Sequence, residues 1–99
     1  MLEHICPVCG YPELDEPAYN EHGDESFDIC NSCGFQFGYS DGGVGLEDPT
    51  CKVMHKDWRE KWISDGMQFY SDFRKAPVNW NPVRQLLNIG IIVKNGGDL

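Results

Sequence analysis

The chain has 99 residues, 40% of them hydrophobic and 12% aromatic, with a mean hydropathy of −0.46. These values suit one modest globular domain, and no apolar run approaches the roughly 20 residues that cross a bilayer. Residues 1–48 hold eleven of the sixteen acids and no Lys or Arg, whereas residues 49–99 hold all eight Lys and Arg against five acids. Binding to DNA or RNA needs clustered cations that displace counterions, so the first half is a poor nucleic-acid surface and a better match for a basic protein partner.

At the N-terminus, MLEHICPVC has neither a basic segment nor an apolar stretch before its first cysteine. No secretory signal is expected, and the chain reads as cytoplasmic. In a reducing compartment, clustered thiols serve as metal ligands or catalytic groups more often than as disulfides. The stretch ICPVCGY at 5–11 is matched by DICNSCGF at 28–35, so Cys6, Cys9, Cys30 and Cys33 form C-x2-C-x20-C-x2-C. Two cysteines two residues apart can turn both sulfurs toward one ion, and two such turns complete a tetrahedron. Gly10 and Gly34 directly follow the pairs, where a positive φ lets backbone N–H groups face sulfur. A thioredoxin-like redox motif would need a single CxxC opening a helix after a strand, which this pattern lacks.

Between the pairs, YPELDEPAYNEHGDESF has the prolines, glycine and acids of an irregular loop. His22 in this loop and His4 are lesser candidate ligands, unnecessary once four thiolates are present. Phe27 and Ile29 before the second pair, and Phe35, Phe37 and Tyr39 after it, alternate with other residues, which predicts two short strands forming a hairpin with metal at its tip. SDGGVGLEDP at 40–49 carries three glycines but no GKS or GKT, so it reads as a flexible connector and not a phosphate cradle.

A helix is predicted next, with Asp48 as N-cap, Pro49 at its first position and a stop at Gly66. Met54, Trp58 and Trp62, flanked by Cys51 and Ile63, form its apolar stripe. Lys52, Lys56, Arg59 and Lys61 lie on the solvated face with Asp57 and Glu60 as intrahelical partners. Cys51 reads as a small core residue, because His55 one turn on has no evident acidic orienter for a nucleophilic pair. MQFYSDFRKAPVNW then crosses the surface in extended form, its rings covering the ribbon and the first helix. A second short helix has Asn81 as cap, Pro82 at its first position and Val83, Leu86 and Leu87 apolar. IIVKNGG at 91–97 is expected to add a short strand.

CPVCGYPELDEP, SFDICNSCGFQFGYSD, HKDWREKWISDGM and WNPVRQLLNIG together resemble a family of uncharacterised small bacterial cysteine-rich proteins, the CPCC-type zinc-ribbon-like group. The similarity runs from about Cys6 to Gly90, although the first pair here is CPVC and not CPCC. The resemblance implies a zinc-binding fold without established activity, with Cys6, Cys9, Cys30 and Cys33 as ligands. It also implies a class of partner, since such proteins are associated with bacterial toxin-immunity systems.

The expected fold is therefore a small α+β domain: a zinc-ribbon-like β-hairpin with two CxxC knuckles in 1–48, packed against two C-terminal helices in 49–99. The expected function is non-enzymatic binding of a protein partner, with one structural zinc. Four cysteines close the metal shell, whereas a catalytic zinc keeps one position open. Two alternatives remain: a rubredoxin-like iron electron carrier, whose paired turns CPVCGY and CNSCGF resemble, and a nucleic-acid-binding zinc ribbon using the basic helix face.

Overall fold

The structure is a computed structural model that describes residues 4–93. Its longest element is α1, Pro49–Ser64. Asp48 caps it by accepting the Thr50 N–H at 2.8 Å, and Pro49 supplies a fixed φ where no amide donor is needed. A second helix, α2, covers Pro82–Leu86 and tightens into a 3₁₀ turn at Leu87–Ile89. The Asn81 side chain accepts the Arg84 N–H at 3.1 Å. Both helices start where the caps and prolines predict.

No β-strand forms among the described residues; antiparallel pairing is limited to isolated bridges at Tyr19–Glu25 and Ile29–Gln36. Around the second CxxC, Cys30 N–H bonds Phe35 O at 2.9 Å and Phe37 N–H bonds Asp28 O at 3.1 Å. The pairing stops there for a local reason. Phe27 adopts a left-handed φ of 65°, and beyond Phe37 the chain folds into successive turns through Tyr39, Ser40 and Gly42. Both ends of a longer ladder are thus bent away. Of the segment 91–97, residues 91–93 have no regular structure and the remainder lies outside the described residues.

The core is aromatic. Phe35 packs against Phe37, His55 and Trp58 with ring centroids 5.2–5.5 Å apart, and Tyr19 against Phe37 and His55 at 5.6–5.7 Å. On α1 the buried residues are Cys51, His55 and Trp62, spaced four and seven along one face. Cys51 and Trp62 of the predicted stripe are buried, whereas Met54 and Trp58 are 37% and 36% exposed and His55 takes their place in the core. The 67–80 segment does cover the knuckles: Tyr70 N–H bonds Ser32 O and Ser71 N–H bonds Asn31 O. Phe69 stacks edge-on between Tyr11 and Trp80.

Candidate metal centre

Each CxxC folds into the same turn. In the first, Cys6 N–H bonds Tyr11 O and Gly10 N–H bonds Cys6 O; in the second, Cys30 N–H bonds Phe35 O and Gly34 N–H bonds Cys30 O, all at 2.8–2.9 Å. Gly10 and Gly34 have φ of 85° and 81°, the left-handed geometry that closes such a turn. Neither has room for a side chain. A Cβ on Gly10 would collide with the Gln85 carbonyl, and one on Gly34 would lie 2.6 Å from the Tyr70 ring.

The turns bring Cys6, Cys9, Cys30 and Cys33 together, all of them unbridged and no more than 5% exposed. Their sulfurs lie within 4.8 Å of one another, with Cys6 to Cys33 at 3.9 Å and Cys9 to Cys30 at 3.6 Å. A tetrahedral ion with metal–sulfur bonds of about 2.3 Å has sulfur–sulfur edges of about 3.8 Å. The cluster therefore has the size and donor set to hold a metal ion. Val8 N–H approaches Cys6 Sγ at 3.4 Å, a contact that disperses thiolate charge.

Burial pushes Cys6 and Cys33 well above the usual thiol range. Burial also opposes ionisation of Cys30, but hydrogen bonds from Cys33, Cys6 and Cys9 outweigh it and pull Cys30 down. Such a nest can stabilise one negative charge by its neighbours' S–H groups and further charge only with a cation.

The C-terminal half grips the carbonyls of these turns. Trp58 Nε1 donates to Cys33 O at 2.9 Å, Arg59 Nε to Val8 O at 2.7 Å and Arg59 Nη2 to Pro7 O at 3.2 Å. Gln85 Nε2 donates to Cys9 O at 3.1 Å and Ser32 Oγ at 3.0 Å, and Asn88 Nδ2 to Gly10 O at 2.9 Å. Arg59 therefore leaves the solvated basic face on which the sequence places it. Among the described residues, the ion pair on that helix is Lys61 with Asp65 at 3.1 Å, not a pair with Asp57 or Glu60.

His4 and His22 are both exposed and stand outside the cluster. His4 Nδ1 instead lies 2.9 Å from Leu14 O.

A second buried group surrounds Cys51. Asp41 and Cys51 are fully buried, His55 is 4% and Tyr19 7% exposed. The Tyr19 hydroxyl donates to Asp41 Oδ2 at 2.5 Å and lies 2.8 Å from His55 Nε2 and 3.3 Å from Cys51 Sγ. The acid missing beside His55 in the sequence is thus Asp41, reached through Tyr19. Asp41 also accepts N–H groups from Gly38 and Gly43, so the start of the 40–49 stretch winds on a buried carboxylate, and its later part is tied by the Leu46 N–H to Gly23 O. Burial alone would raise the Asp41 carboxyl, but the Tyr19 hydroxyl and these two amides hold it below the usual range. Burial drives Tyr19 and Cys51 up and His55 down to about 4, against the pull of Asp41. The i,i+4 spacing of Cys51 and His55 is the one sequence signal of this group; Tyr19 and Asp41 give none.

The chain is 35% identical over 71 residues to the uncharacterised protein YoaQ of Bacillus subtilis strain 168, covering 65% of this chain and 60% of the relative. It is 32% identical over 73 residues to the uncharacterised protein YozI of the same organism, covering 66% of this chain and 60% of the relative. The matched region thus spans 60% of the length of each of these curated relatives. No family model and no solved structure matches, and no helix among the described residues is long and apolar enough to cross a membrane. Both relatives are bacterial and uncharacterised, so the similarity brings no activity with it.

Proposed function

We propose that the protein is a non-enzymatic binding protein of the CPCC-type zinc-ribbon-like group, acting in the cytoplasm, in which Cys6, Cys9, Cys30 and Cys33 hold one structural zinc. The observation that carries this reading is the closed cluster of four buried cysteines. Bound zinc would supply cohesion between the two knuckles, and its closed shell would leave no position for water or substrate. The α+β ribbon remains part of the reading, supported by the short antiparallel pairing at Ile29–Gln36 that flanks the second knuckle.

The partner is a basic protein, engaged through the first half of the chain. Glu13, Asp15, Glu16, Glu21, Asp24 and Glu47 are exposed there, with no Lys or Arg up to residue 48. Arg74 pairs with Asp15 at 3.4 Å, and the other exposed acids leave the surface predominantly negative, a field that accelerates encounter with a cationic partner. The family resemblance gives the partner a class, a nuclease toxin whose nucleic-acid-binding face the acids would mask. Nucleic-acid binding by the chain itself is disfavoured by the loss of Arg59 from the basic face to the Val8 and Pro7 carbonyls.

The test is capture from a bacterial lysate at low and moderate salt, with bound proteins and nucleic acid identified in parallel. A stoichiometric basic protein is expected, lost when Glu13, Asp15, Glu16 and Glu21 are neutralised to Gln or Asn. Retention by the neutralised variant overturns the acidic-surface reading, and capture of nucleic acid alone overturns the protein partner. Elemental analysis should find zinc in a colourless protein; a coloured iron protein would favour electron transfer instead.

A further inference from the structure

We propose that Asp41, Cys51 and His55 form a second metal site, separate from the four-cysteine cluster, that takes a zinc-like dication through one oxygen, one sulfur and one nitrogen with the Tyr19 hydroxyl as fourth donor.

The three ligand atoms lie within 4.8 Å of one another, and all three residues are buried. Cys51 Sγ is 3.5 Å from His55 Nε2 and 3.9 Å from Asp41 Oδ2. Zinc bonds of about 2.3 Å to sulfur and about 2.0–2.1 Å to nitrogen or oxygen give tetrahedral edges of about 3.6 Å between sulfur and the lighter donors. The two measured edges bracket that length. Mixed imidazole, thiolate and carboxylate donors suit zinc and its borderline neighbours, and not magnesium or calcium, which take oxygen.

The scaffold fixes the donors independently. Cys51 and His55 are one turn apart on α1 and so share a face. The Gly43 amide bonds Asp41 Oδ1 at 2.9 Å and the Gly38 amide is shared between Oδ1 at 3.1 Å and Oδ2 at 3.0 Å, which fixes the carboxylate with Oδ2 also facing Tyr19 and Cys51. The Tyr19 hydroxyl stands 2.5 Å from Asp41 Oδ2 and 2.8 Å from His55 Nε2. These distances are shorter than the roughly 3.3 Å separating two light donors on one zinc. In this structure the hydroxyl therefore bridges the three groups by hydrogen bonds, and an ion entering between them turns it outward by a fraction of an ångström. Binding releases the Cys51 thiol proton to solvent, while the neutral His55 imidazole binds through Nε2 and keeps its one proton on Nδ1. Because four protein donors close the shell and the group is buried, the ion clips the Tyr19 loop and the Asp41 turn to α1 and does no chemistry.

The test uses the untagged full chain, saturated with zinc or cobalt, and reads ions per chain by elemental analysis and thiolate-to-cobalt absorption. Two ions per chain are expected, with the spectrum of one four-thiolate and one single-thiolate centre. The Cys51→Ser and His55→Gln variants should each drop to one ion and retain the four-thiolate spectrum. Wild-type protein that saturates at one ion with a four-thiolate spectrum overturns the second site and leaves the first intact. One ion with a single-thiolate spectrum would instead remove the four-cysteine centre and keep this one. Two ions retained by both variants overturns the assignment of Cys51 and His55; the wild-type stoichiometry decides even if a variant does not fold.

Discussion

The two buried clusters are built on opposite plans. The four cysteines come from two copies of one local turn, with the same hydrogen bonds and the same left-handed glycine, so each half is complete before the halves meet. The Tyr19, Asp41, Cys51 and His55 group draws on three separate segments and has only one local pair, on α1. The first plan makes a cluster able to concentrate its cohesion in a bound ion; the second makes one already satisfied by hydrogen bonds. The difference predicts unequal consequences when each is cut.

Cys30→Ser cuts deepest. A structural zinc contributes about 10–16 kcal/mol of folding free energy in small zinc domains, as much as the whole stability of a typical domain of about 5–15 kcal/mol. The variant should show no cooperative thermal transition and no metal at the four-cysteine centre. A native melting temperature with retained zinc would erase the contrast between the clusters.

Acid probes the second cluster next. His55 falls to about 4 from an ordinary value of 6.5 because it is buried. Between those values the unfolded chain binds a proton that the folded chain refuses, so stability is complete above about pH 6.5 and is lost as pH falls toward 4. The loss attributable to His55 is about 3 kcal/mol. A bound ion acts in the same direction, since it needs the neutral imidazole. Denaturant melts across that window should show a steeper decline for wild type than for His55→Gln; identical slopes would mean that His55 titrates as if exposed.

Gly10→Ala tests the turn geometry by itself. The left-handed backbone and the Gln85 carbonyl in the path of a Cβ should together cost about 2–3 kcal/mol, read as a lowered midpoint at constant slope in denaturant. The smallest expected pair separates a half-buried, hydrogen-bonded cation from a surface one on the same helix. Arg59→Met should cost about 2 kcal/mol by removing two charge-assisted bonds to the first knuckle. Lys61→Met breaks only an exposed ion pair and should cost at most about 0.5 kcal/mol.

Much of this was legible in residue order, and the reason differs by region. Both helix starts follow from Asp48-Pro49 and Asn81-Pro82, because capping is chemistry between near neighbours. The four-cysteine cluster is legible because each pair carries its own turn. The strands expected on either side of the second pair follow a sound alternation, yet nothing in the alternation announces that Phe27 turns left-handed or that the chain curls beyond Phe37. Asp41 looked like one more acid in a glycine-rich stretch; its burial depends on Tyr19, 22 residues away, and pairings at that distance leave no local pattern. Arg59 was hidden for the same reason, since its partners are carbonyls 51 and 52 residues upstream.

The indole of Trp58 ends on the carbonyl of Cys33, and that of Trp80 on Gln85, whose amide continues to the carbonyl of Cys9. Two of the three tryptophans are thus wired to the backbone of ligand-bearing turns. If the four cysteines hold the proposed ion, the protein carries its own optical gauge of it: stripping the metal should shift tryptophan emission to the red in step with its loss, so that occupancy can be followed in real time without any added dye.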